Sequence, residues 1–67
     1  MYNNLKAELV RYRISNIEVA KTLGITEGTA SLKLNGKANL RLEEAFMLQD
    51  LITEKSGIVI PIEELFK

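Results

Sequence analysis

Apolar residues recur along the chain at the three- and four-residue spacing of amphipathic helices, in short runs separated by glycines and other breakers. Leu5, Leu9 and Tyr12, with Val10 beside them, form one stripe on an otherwise polar segment and predict a helix over about residues 4–13 whose stripe is core. Ser15-Asn16-Ile17-Glu18 carries the pattern of a capping box, in which the Ser15 hydroxyl accepts from the Glu18 amide and the Glu18 carboxylate accepts from the Ser15 amide. Val19, Ala20 and Leu23 line one face of the second helix that follows. Gly24 ends it after about two turns, because a residue without Cβ enters the left-handed conformation at no steric cost.

Thr26 can cap a third helix, residues 27–34, which stops at the Asn35-Gly36 pair. Two short helices joined by so tight a turn cross steeply, the arrangement of a helix-turn-helix, here spanning 16–36. A loop leads to a fourth helix, about 42–54, where Leu42, Ala45, Phe46, Leu48, Leu51 and Ile52 make a stripe broader than a lone surface helix needs. Part of that stripe is available to a partner. Ser56-Gly57 breaks the helix, Ile58-Val59-Ile60 is a short β-branched run, and Pro61 can start a last helical turn reaching Glu64 or Phe66. The expectation is an all-α, four- to five-helix bundle forming one domain over 1–67, with 56–67 as a tail. Ile58, Ile60, Ile62, Leu65 and Phe66 should cover the open side of the core or a twofold interface.

Composition narrows the chemistry. A chain of 67 residues buries a modest core, which makes a homodimer the expected state. It contains neither His nor Cys, so the commonest general base, the thiolate nucleophile and the main zinc ligands are missing, and neither an enzyme nor a cofactor is expected. No apolar run is long enough to span a bilayer and the first residues lack a signal-peptide pattern, pointing to a cytoplasmic protein with no membrane partner. Net charge is zero, yet the bases Lys6, Arg11, Arg13, Lys21, Lys33, Lys37 and Arg41 face only Glu8, Glu18 and Glu27 in residues 1–41. Acids dominate the remainder. Such polarity suits a molecule that turns one face to phosphates.

The steric pattern is more specific. Ala20 follows Asn16 by four residues and Gly24 follows Ala20 by four, with Ile25, Ala30 and Leu34 beyond. A small residue at position 20 lets two helices approach, Gly24 makes the turn and Ile25 fills the gap between them. With Ser15-Asn16, Val19-Ala20, Leu23-Gly24-Ile25-Thr26, Thr29-Ala30-Ser31 and Leu34-Asn35-Gly36-Lys37, the chain resembles the Cro/repressor-type, lambda-repressor-like helix-turn-helix family of phage and bacterial regulators. The resemblance implies a transcription regulator that binds double-stranded DNA, with helix 27–34 in the major groove and Glu27, Gly28, Ser31 and Leu32 facing bases. It implies phosphate contacts from Asn16, which stands where the family often has Gln, and from Asn35 and Lys37; Lys33, the one cation on the third helix, and Arg41, flanking the loop after it, are the further phosphate candidates.

One departure from the family pattern matters. The third helix has no Arg or Gln among its outward residues, so the strongest bidentate contacts to guanine and adenine are missing and part of any preference would rest on DNA shape. The acidic pI of about 6.2 and Glu27 motivate a rival expectation, a degenerate helix-turn-helix serving as a protein-interaction module or antirepressor-like partner. An accessory role in recombination, or an antitoxin, would leave the same marks on the sequence.

Overall fold

The computed structural model describes residues 2–66 and is all-helical: α1 (Asn3–Arg11), α2 (Asn16–Leu23), α3 (Glu27–Leu34), α4 (Leu42–Ser56) and α5 (Ile62–Leu65). Its radius of gyration, 10.5 Å, is close to the ~11 Å expected for a compact domain of this length. The first three helices end by one device. After α2, the Gly24 amide donates to the Lys21 carbonyl and the Ile25 amide to the Ala20 carbonyl, with Gly24 left-handed at φ 71°. After α3, the amides of Gly36 and Lys37 bond in the same way to the carbonyls of Lys33 and Leu32, with Gly36 at φ 75°. These are Schellman caps, which satisfy carbonyls that a helix end otherwise leaves unpaired.

The same cap ends α1 without a glycine. Arg13 sits at φ 58°, its amide on the Val10 carbonyl and the Ile14 amide on the Leu9 carbonyl at 2.8 Å. Burial of Ile14 and Leu9 in the core supplies the apolar contact that accompanies such caps and offsets the strain of a left-handed Arg. Hence α1 ends at Arg11 and not at residue 13. Val10, expected beside the core stripe, is 78% exposed, because it lies about 100° round the helix from Leu9.

Leu5, Leu9, Ile14, Val19, Ala20, Ala30, Leu34, Leu48, Leu51, Ile52 and Leu65 form the core. The α2 helix packs on α3 and α4, and α5 returns onto α4 and α1. The tail covers the open side of the core: Leu65 is fully buried, and Ile60 and Phe66 pack against it. Gln49 Nε2 donates to the Ile60 carbonyl, Asn4 Nδ2 to the Glu64 carbonyl, and Tyr2 meets Phe66 edge-to-face at 5.5 Å. Ile58 and Val59 stay outside this cover and are exposed. On α4 the stripe divides, with Ala45, Leu48, Leu51 and Ile52 inward and Leu42, Phe46 and Met47 exposed.

At the start of α2 only half of the expected capping box forms. Ser15 Oγ accepts from the Glu18 amide at 3.2 Å. The Glu18 carboxylate instead crosses to α4, where its Oε2 lies 2.8 Å from Lys55 Nζ and raises the Lys55 pKa. Among the described residues no helix is long and apolar enough to cross a membrane.

Candidate nucleic-acid interface

The α2–α3 unit presents the residues singled out from the sequence. Ser15 caps α2 and leaves Asn16 exposed in its first turn. Thr26 caps α3, its Oγ1 accepting from the Thr29 amide at 3.3 Å, and leaves Glu27 and Gly28 exposed. Ala30 and Leu34 turn inward with Ala20, which places Leu32, 47% exposed, on the outer side of α3. Ser31 is half-buried.

Gly28 is unlike the other three glycines. Those have φ near +70°, whereas Gly28 has helical backbone, and a Cβ there would meet nothing within 4 Å. The fold does not need glycine at this position, and its effect is to leave a stretch of bare backbone on the outer surface of α3.

Two residues expected on the phosphate side are occupied within the fold. Lys33 Nζ lies 2.6 and 2.8 Å from the two carboxylate oxygens of Glu44, and the two side chains are only 12% and 11% exposed. Glu44 Oε1 also accepts from the Arg41 amide at 3.0 Å. The hydrogen bonds from Lys33 hold the Glu44 pKa below its ordinary value against the opposing effect of burial. In this structure the Lys33 ammonium ties α3 to the start of α4. Asn35 is likewise structural. Its Nδ2 donates to the Ser31 carbonyl at 2.8 Å and its Oδ1 accepts from Lys6 Nζ at 2.6 Å, tying the end of α3 to α1.

Lys37 is exposed and makes no ion pair among the described residues, and Arg41 is exposed with only a long 3.9 Å contact to Glu43. The structure thus leaves Asn16, Lys37 and Arg41 accessible, while Lys33 and Asn35 are paired within the fold. Lys6 and Glu44 were not singled out from the sequence. A Glu three residues after the position preceding α4 is a capping signal that could have marked Glu44, but nothing local marks its pairing with Lys33. Compared with known proteins, the chain matches no family model, no curated protein and no solved structure.

Proposed function

We propose that this chain is a sequence-specific DNA-binding transcription regulator of the Cro/repressor kind, laying α3 in the major groove and Lys37 and Arg41 on the flanking backbone. What supports this most is the pairing of a short capped helix, a left-handed turn at Gly24 and a second capped helix whose outward side is exposed while Ala20 and Ala30 are buried at their contact. The basic first part of the chain supplies the cations. Lys37→Ala should weaken binding to selected and random duplexes alike and flatten log affinity against log salt by about one unit. An unchanged slope would put the loop after Gly36 away from the backbone.

We also propose that the protein acts as a homodimer. Leu42 and Phe46 lie one helical turn apart on the exposed side of α4, and Ile58 and Val59 add apolar surface that the fold leaves uncovered. A second copy covering this surface would give the two reading helices a twofold relation suited to a pseudo-palindromic site. Sedimentation at high micromolar concentration should report twice the chain mass, and a monomer with and without DNA would refute the dimer. A second reading, a protein-interaction module, is favoured by the pairing of Lys33, the one cation of α3, with Glu44 and by the exposure of Ile17 and Leu32. Failure to bind any duplex even at low salt would select it.

A further inference from the structure

With Lys33 drawn into Glu44, the first turn of α3 exposes a carboxylate at Glu27 and bare backbone at Gly28, and beyond it the helix offers the apolar side chain of Leu32 and the half-buried hydroxyl of Ser31, itself 3.5 Å from Asn35 Nδ2. Base edges in the major groove differ in what they ask of such groups. Guanine presents two acceptors and adenine an acceptor beside an amino group, so purines are read by side chains that donate. Cytosine presents an amino donor, and thymine a methyl group. A carboxylate suits the cytosine amino group and is repelled by the purine N7 lone pair. A leucyl side chain suits the thymine methyl and has nothing to offer a purine edge.

We infer that α3 reads pyrimidines, with Leu32 packed on a thymine 5-methyl, Glu27 accepting from a cytosine 4-amino group, and Gly28 allowing the helix to approach closely enough for both. This rests on the DNA-binding reading above and specifies the chemistry of its site. The Lys33–Glu44 pair fits that chemistry, since it leaves α3 without a free cation.

The probe is the tightest-binding duplex recovered from a random pool with the parent protein. Replacing its thymines one at a time by deoxyuridine removes only the methyl group, and replacing its purines by 7-deaza analogues removes only the N7 acceptor. At one thymine per bound copy, deoxyuridine should weaken binding about fourfold, the equivalent of burying one methyl-sized group. The 7-deaza duplexes should bind within about twofold of the parent duplex, because no purine acceptor is being used. Leu32→Ala, at an exposed position, should fold normally, bind the unmodified duplex as weakly as the parent binds the uracil-containing one, and no longer distinguish the two. A larger loss with 7-deazapurines than with deoxyuridine, or a deoxyuridine penalty that persists in Leu32→Ala, overturns the inference. Indifference to both substitutions, with the selected duplex still preferred over random DNA, also overturns it and assigns the preference to DNA shape. Failure of the parent protein to enrich any duplex overturns the DNA-binding reading itself.

Discussion

Glu44→Ala is expected to lower the unfolding free energy by about 2–3 kcal/mol, a large share of the roughly 3–10 kcal/mol a domain of this size holds. The loss comes from what remains behind. Lys33 is left as a mostly buried ammonium without its carboxylate, and the Arg41 amide loses its acceptor at the start of α4. Removing both charges should be far milder, so Lys33→Met combined with Glu44→Leu should recover most of the loss, because a desolvated pair can be replaced by apolar packing of similar volume. The same pair fixes an acid limit. Because the folded-state pKa of Glu44 is lowered, the stability it contributes is present above its ordinary value of 4.5 and is lost as pH falls through the lowered value. Urea titrations at neutral pH and near pH 3 check both points: the parent should lose more stability on acidification than Glu44→Gln does. Equal stability of the parent and Glu44→Ala at neutral pH would show that the pair does not pin α3.

Ala20→Leu is expected to cost about 1–3 kcal/mol by overpacking. Ala20 is buried in the core that α2 shares with α3 and α4, its carbonyl accepts the Ile25 amide that closes the turn, and Ala30 of α3 is also fully buried in that core. A larger side chain must push α3 outward or open the turn. Gly24 gives a contrasting case, since a Cβ there meets nothing within 4 Å and the entire cost of substitution is backbone strain at φ 71°. Asn, which tolerates that conformation, should be nearly neutral at position 24, whereas Val should cost on the order of 1–2 kcal/mol. Thermal melts with Ala20→Leu and Gly24→Val both as stable as the parent would contradict the assignment of a tight helix, turn and helix.

How much could be read from the sequence follows the range of the forces involved. The bounds of α2 and α3 were legible because Ser15, Gly24, Thr26 and the Asn35-Gly36 pair set them through hydrogen bonds and backbone conformations a few residues long. The end of α1 was misread because a left-handed Arg13 does the work that glycine does elsewhere, and only the tertiary burial of Ile14 makes it tolerable. The full capping box at Ser15 failed for a similar reason, since Lys55 on another helix competes for the Glu18 carboxylate. For the site, exposure of Leu32 followed from helical periodicity, and that of Glu27 and Gly28 from their place in the first turn of α3. The pairing of Lys33 and Asn35 within the fold did not, because their partners Glu44 and Lys6 lie 11 and 29 residues away in sequence and become neighbours only when the chain folds.

The most direct test of the DNA-binding proposal is in vitro selection from a random duplex pool, followed by titration of the recovered duplex and of random DNA at several salt concentrations. The expected result is enrichment of a pseudo-palindromic sequence whose affinity exceeds that of random DNA at every salt concentration, with both affinities falling steeply as salt rises. Absence of enrichment and of binding at low salt would contradict it.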